Sequence, residues 1–595
     1  MSPSATLPSL DSAFVASASE YQILEKPSRS GRKLRIICLG GGASALNLAH
    51  EVSISSLDLD LVCYEKNPSI GGTWYENRYP GCGCDIPSVN YQFSWAPSTE
   101  WSHYYSSASE ILQYFKDVAE KYDLNKYVRL NHTVVGATWV EEEQKWHVRI
   151  QQGNNPDDVI TDKADIFINA SGVLKYASKW KWPDISGRET FKGPMLHSAN
   201  WDDSIELKGK RVGVIGGGSS AVQIVPSIQP VVGHMKCFIR SAAWVTASFG
   251  QRFAGKGGTN FECKCFPDNA HSEKQKEILR NDPTKYLAYR KRIESELNSR
   301  FRFILNGSKE QQDARNAAEK DMRTRLASKP EIADLIVPKN FAVGCRRPTP
   351  GNGYLEALCE DNVAVVSSSI TEITPKGIKT SDGVEHEFDV IVCATGFDVS
   401  WKPRYPTIGR HGVNLSKYWA DVPNTYLSLA VANMPNYFIF NGPFGPYGHG
   451  SFLPITETVS RYVMQVLKKM SEEEITSFAP KEEAVADFAQ HRRKFLPRTA
   501  WTSPCRSWFK QGTVDGEPMM WPGSRIQFFE TIASPRWEDF VLKYTTTNRF
   551  AYFGNGFAAR EGDGSDLTWY LGPLDDTGLQ PALPDEDFVD FLVNS

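Results

Sequence analysis

Hydrophobic positions in this chain gather in short unbroken runs, and several of these runs end in a glycine turn. LRIICL (34–39) stops at Gly40-x-Gly42-x-x-Ala45 and passes into the helix formers ALNLAHEV. RVGVI (211–215) stops at Gly216-x-Gly218-x-x-Ala221 and passes into VQIV. An unbroken apolar run, rather than an alternating one, predicts a strand buried on both faces of a parallel sheet. Two further runs, ADIFINASGVL (164–174) and FDVIVCATGF (388–397), echo each other, each ending in a small-x-Gly turn. They are expected to close the two units that the glycine motifs open.

Between these units the period changes. In KYLAYRKRIESELNSRF, Tyr286, Tyr289, Ile293, Leu297 and Phe301 recur at helical spacing with charges between them, which predicts an amphipathic helix. The expected fold is α/β: two Rossmann-like dinucleotide-binding domains with a helical insertion. Residues 1–32 are expected to be a disordered, Ser-rich tail. Residues 33–203 form the first part of an FAD-binding domain, and 204–384 an NADP-binding domain whose helical insertion covers a substrate cleft at about 250–340. Residues 385–595 return to the FAD domain and supply C-terminal loops.

Each glycine motif carries chemistry as well as a turn. Small residues there let backbone N–H groups and a helix N-terminus approach a pyrophosphate. The strand after the first motif, LDLVCYEK, ends near Glu65, whose carboxylate suits ribose hydroxyls and repels a 2′-phosphate. The strand after the second, HMKCFIR, reaches Arg240, whose guanidinium pairs with a phosphate. The first site therefore suits FAD or NAD, and the second NADP.

Composition narrows the class further. The chain has 595 residues and a formal net charge of −4, which gives no electrostatic case for nucleic acid or an anionic membrane surface. No apolar run reaches the roughly 18–20 residues of a bilayer span, and the N-terminus lacks the basic and apolar regions of a secretory signal. A cytoplasmic location is the default. Cysteines and histidines do not cluster at metal-ligand spacing, so no metal is expected. Cys38, Cys63, Cys237 and Cys393 fall inside apolar runs and read as small hydrophobes.

A flavin and NADPH together imply hydride flow to the flavin, and the next electron acceptor decides the reaction. A disulfide reductase would need a C-x-x-C or C-x4-C pair, and neither is present. Oxygen is the remaining acceptor. At this point two longer patterns matter. GGTWYENRYPGCGCD (71–85) fits [A/G]-G-x-W-x4-[F/Y]-P-[G/M]-x3-D, and FKGPMLHSANWD (191–202) fits F-x-G-x3-H-x3-W-[P/D]. Flanking the two glycine motifs in this order, they resemble a type I Baeyer–Villiger monooxygenase. PNYFIFNGPFGPYGHGS and CRSWFKQGTVDG resemble the fungal secondary-metabolite members of that family.

The resemblance implies that NADPH reduces FAD, that oxygen adds to the reduced flavin, and that a ketone becomes an ester or lactone. By the family pattern Arg347 looks like the catalytic arginine and Asp85 the acid that holds it. The FAD contacts implied are Gly40, Gly42, Ser44, Ala45, Glu65, Thr73, Trp74, Tyr75, Glu76, Asp85 and Tyr91, with Val134 and Phe452 through backbone. The NADP contacts implied are Gly83, Cys84, Gly216, Gly217, Gly218, Ser219, Ser220, Ala221, Val222, Arg240, Ser241, Arg346 and Arg347, with Trp508 on the nicotinamide ribose. The family more often has Lys than Arg at position 346. The loop of Phe444, Tyr447 and His449 is expected to shape the ketone pocket, and Gly193, His197, Trp201 and Asp202 to form a connector that couples NADP position to the flavin.

The nearest alternative is an N- or S-oxygenating flavin monooxygenase, whose version of the histidine motif lacks the Trp201-Asp202 pair. An oxidase that makes only hydrogen peroxide, and a nucleotide-binding redox sensor without turnover, stand further off.

Overall fold

The structure is a computed structural model, and it describes residues 21–172, 180, 182–250, 253, 270–351 and 353–572. Two five-stranded parallel sheets organise it. The first runs in the order Tyr437–Ile439, Ile166–Asn169, Leu34–Leu39, Leu59–Tyr64, Val128–Arg129. The second runs Val363–Val366, His234–Phe238, Arg211–Ile215, Val390–Cys393, Met195–His197. In each, the strand that leads into the glycine motif is central, flanked by the ribose strand and by the closing strand of the sequence echo. Central strands must be apolar on both faces, which is why LRIICL and RVGVI carry no alternation.

The echo has a steric origin. Gly40 has φ +111°, and a Cβ there would sit 2.8 Å from the Ala170 carbonyl oxygen. Gly216 has φ +125°, and its Cβ would sit 2.4 Å from the Ala394 oxygen. In both units, then, the first motif glycine abuts the residue after the closing strand, where only glycine is tolerated. An antiparallel sheet precedes each closing strand: His132–Val140, Lys145–Gln152 and Val159–Ala164 in the first unit, Ile370–Thr374, Gly377–Thr380 and Glu385–Glu387 in the second.

Strand membership moves the expected boundaries. Met195–His197 and Val390–Cys393 both pair within the second sheet, so the crossings fall before 195 and after 393 rather than at 203 and 385. The stretch from Phe191 showed no period because its strand is three residues long. The tail also shortens. Residues 1–20 lie outside the described residues, whereas Lys26 pairs with Glu474 at 2.5 Å, and Arg32 reaches Asp165 at 3.1 Å and the Ile475 carbonyl at 2.7 Å.

The insertion is helical where it is described, with helices Glu273–Asn281, Pro283–Ser299, Lys309–Arg325 and Pro330–Ile336. Most of 251–269 and the end of the chain from 573 lie outside the described residues. Helix Pro283–Ser299 buries Tyr286, Ile293 and Leu297 against the first unit, as its period predicts. Among the described residues no helix is long and apolar enough to cross a membrane.

Candidate active site

Both glycine motifs end in helices with open N-termini. Ala43–Ser53 and Ser219–Ile228 have Gly42 and Gly218 as N-caps, no side-chain cap, and no acidic residue in the first turn. Their first N–H groups are thus left for an anionic ligand, and the helix dipole favours one. Ala45 and Ala221 are buried where each helix meets its sheet. Ser44 is buried too, its hydroxyl within 3.4 Å of the Asn441 amide.

A cleft at the carboxyl ends of the first sheet's strands is lined by Gly40, Gly42, Glu65, Thr73, Glu76 and Val134, the position expected of a dinucleotide. Glu65 accepts hydrogen bonds from the backbone N–H of Gly41 (2.7 Å) and of Asn67 (2.8 Å), one on each oxygen. Burial is the largest influence on its carboxyl and raises its pKa despite those bonds. Each oxygen keeps a lone pair for a ribose hydroxyl. Thr73–Glu76 is a single helical turn. Its middle residues turn elsewhere: the Trp74 indole donates to the Tyr91 hydroxyl at 3.2 Å, and Tyr75 lies under Arg78. The same cleft is lined by Lys66, Arg404 and Tyr405. Sequence reasoning missed all three, the last two because no motif marks a residue that only tertiary folding brings to the site. These features fit FAD.

The loop 79–85 crosses from the first unit onto the second. The Tyr79 hydroxyl donates to Gln223 Oε1 at 2.8 Å, and Gln223 Nε2 donates to the Gly83 carbonyl at 3.0 Å. Gly81 (φ +77°) lies so close that a Cβ would approach Ser227 Oγ to 2.1 Å. Cys84 is buried, and that burial pushes its thiol pKa up, away from a thiolate. At the end of this loop stands Asp85. It receives Arg347 through two bonds, Nε to Oδ2 at 3.0 Å and NH2 to Oδ1 at 2.9 Å. Burial pulls the guanidinium pKa down most strongly, but the charge and hydrogen bonds of Asp85 outweigh it and leave it raised. Arg347 also lies over the Phe249 ring at 5.3 Å.

Arg346 points differently, with NH2 donating to the Ala242 carbonyl at 2.5 Å. Burial lowers its pKa. Ala242 follows Arg240 and Ser241, so Arg346 stands beside the residues expected at the 2′-phosphate. Ser219 lies 3.0 Å from Thr349, tying the second glycine motif to the arginine segment. Gly216 to Val222 form the motif turn and the start of its helix. Phe452 caps helix Leu453–Glu472, and Trp508 begins a 3₁₀ turn packed edge-on against Phe509.

The expected connector divides. His197 is a buried edge-strand residue, bonded to Thr395 at 3.2 Å and stacked on Trp180. Gly193 is wedged 2.5 Å (as Cβ) from the Asp389 oxygen, and Trp201 packs on the second core. Asp202 is exposed and caps its own turn through Ser204. In the 441–454 loop, Phe444 is fully buried beneath Arg492, and the Tyr447 hydroxyl donates to the Gly442 carbonyl. Both therefore hold the loop. His449 is buried beside Phe301. Burial first, then the charges of Arg525 and Arg347, push its imidazole pKa down to about 3, against an upward pull from the Leu297 carbonyl.

One link was not foreseen: Cys345, adjacent to Arg346, forms a disulfide with Cys505 on the Trp508 loop. Their sequence separation of 160 and the absence of any spacing pattern hid it.

Two open helix N-termini on two parallel sheets, with a charged pair between them, define a two-dinucleotide flavoprotein. The comparisons with known proteins identify it further. Residues 33–254 match the flavin-binding monooxygenase-like family. The chain is 39% identical to the FAD-binding monooxygenase tazF of Aspergillus terreus, over 95% of this chain and 100% of that one. It is 26% identical to the crystal structure of cyclohexanone monooxygenase from Rhodococcus sp. Phi1 bound to NADP+, with a TM-score of 0.71, covering 87% of this chain and 100% of the other. An OTEMO complex with FAD and NADP matches with 26% identity, a TM-score of 0.72 and the same coverage. The chain belongs to the FAD-binding monooxygenases and uses FAD and NADPH.

Proposed function

We propose that this enzyme inserts one atom of O2 beside a ketone carbonyl to give an ester or lactone, on a polyketide-like or other secondary-metabolite ketone. The observation that carries the reading is the two-bonded Arg347–Asp85 pair, which joins the arginine segment to the loop that bridges the two nucleotide-binding units. FAD, when bound and reduced by NADPH, supplies the oxygen-activating chemistry.

The chain's own residues supply placement and charge. Arg347 holds a permanent cation where negative charge develops, and Asp85 fixes its plane without neutralising the N–H groups it leaves free. Gly40, Gly42, Glu65 and the Thr73–Glu76 turn would hold FAD, while Gly216 to Val222, Arg240 and Arg346 would hold NADP. His449 stays neutral in this setting and so adds no competing charge. His197 and Trp201 pack on the second unit, where the chain enters it.

The test is mass spectrometry of products formed from purified enzyme, NADPH, 18O2 and a panel of cyclic and polyketide-derived ketones. One 18O atom in an ester linkage supports the reading. Oxygen on nitrogen or sulfur of suitable substrates, with every ketone untouched, overturns it.

A further inference from the structure

Arg525 is fully buried at the start of helix Arg525–Thr531, and it reaches two segments that are remote in sequence. NH1 pairs with Glu294 Oε1 of the helical insertion at 2.9 Å. NH2 donates to the Ser451 carbonyl at 2.8 Å, and the backbone N–H faces His449 Nε2 at 3.4 Å. Glu294 continues the chain, because its other oxygen accepts from Asn90 Nδ2 at 3.0 Å. Asn90 Nδ2 also donates to the Arg290 carbonyl, and Arg290 Nε donates back to the Val89 carbonyl. The network thus ties together the insertion, the 449–452 loop and the segment that carries Asp85 and Tyr91.

Stability alone does not explain this design. A buried arginine is held by one carboxylate, its Nε finds no partner among the described residues, and it lies within electrostatic reach of a second, half-buried cation, Arg347. A well-packed apolar side chain would hold such a corner without those penalties. What the arginine provides is direction: its fork fixes the insertion and the 449–452 loop relative to its own helix.

We propose that Arg525 is a positioning residue that locks the helical insertion and the 449–452 loop over the flavin site and so keeps water from it. The proposal rests on the oxygenation reading above for its consequence, since water at an oxygenating flavin diverts reducing equivalents to hydrogen peroxide. Its structural part stands independently of which substrate is oxygenated.

The experiment uses the FAD-loaded full chain and compares wild type with Arg525→Gln, Glu294→Gln and the double variant. FAD content and melting temperature are recorded first, so that only folded holoenzyme is compared. Iodide quenching of flavin fluorescence then reads solvent access, and NADPH consumption against peroxide formed reads the leak, with and without ketone. The expected result is a rise of roughly threefold or more in both quenching and leak for each single variant. The double variant should be no worse than the worse single, as members of one network are not additive. Should Arg525→Gln fail to load FAD, Glu294→Gln decides on the same two readouts. Unchanged quenching and leak in folded Glu294→Gln or Arg525→Gln, or additive effects in the double variant, overturn the proposal. A wild-type enzyme that makes no ester refutes the ketone reading alone, because quenching and the ketone-free leak still report on Arg525.

Discussion

Arg347 and Asp85 meet through two hydrogen bonds of 3.0 and 2.9 Å, although 262 positions separate them in the chain. Each comes from a different unit, so their meeting records how the two units dock. The carboxylate occupies Nε and one terminal nitrogen and leaves the rest of the fork for other ligands. Substitution of Arg347 by Ala should lower product formation by roughly 100-fold or more, while flavin reduction by NADPH stays largely intact. Stopped-flow bleaching of the flavin beside product yield measures the two separately. Arg347→Lys keeps the charge and loses the fork, and should recover only part of the yield.

Arg240 follows the ribose strand of the second unit and stands beside the segment that Arg346 holds. Arg240→Ala should raise the KM for NADPH by roughly 10- to 100-fold and change that for NADH little. Equal losses for both coenzymes would remove the case for a 2′-phosphate contact.

His449 gives a pH dependence with a definite sign. Its pKa is about 3 in the folded chain, held down by burial and by Arg525 and Arg347, against the ordinary 6.5. Between those values the unfolded chain binds a proton that the folded one does not, so its contribution to stability is present above pH 6.5 and is lost as pH falls towards 3. Denaturant titrations at several pH values should show His449→Asn with a shallower acid-side slope, by about 1.4 kcal/mol per pH unit within that window.

The Cys345–Cys505 bond fastens the segment next to Arg346 and Arg347 to the Trp508 loop. Cys505→Ser should cost about 2–5 kcal/mol of stability and reduce product yield more than it reduces FAD binding. Mass mapping of alkylated peptides, with and without reductant, shows whether the thiols are paired in the sample assayed. An unchanged unfolding midpoint for the variant would count against the bond.

Much of this architecture was legible because it is local. A strand buried on both faces must be apolar throughout, and a turn with no room for a Cβ must carry glycine, so both nucleotide units declare themselves in the windows around Gly40 and Gly216. The Asp85 loop was legible as a pattern, but its physical reason was not. Only the docked helix Ser219–Ile228 explains why residue 81 has no side chain and why Gly83 turns its carbonyl to Gln223.

The amino-acid order by itself therefore determined the two parallel sheets, the glycine turns and the amphipathic helix of the insertion. Each follows from contacts within a strand, a turn or a helix, where spacing along the chain equals spacing in space. Tertiary structure decided the rest: which sheet claims Met195–His197, where Arg404 and Tyr405 enter the flavin cleft, which cysteines join, and how Arg525 ties Glu294 to the Ser451 loop. Those partners lie far apart in sequence, and a charge or thiol carries no periodic signal of the group it will meet. Their pairing is set by the packing of whole elements, which no local window contains.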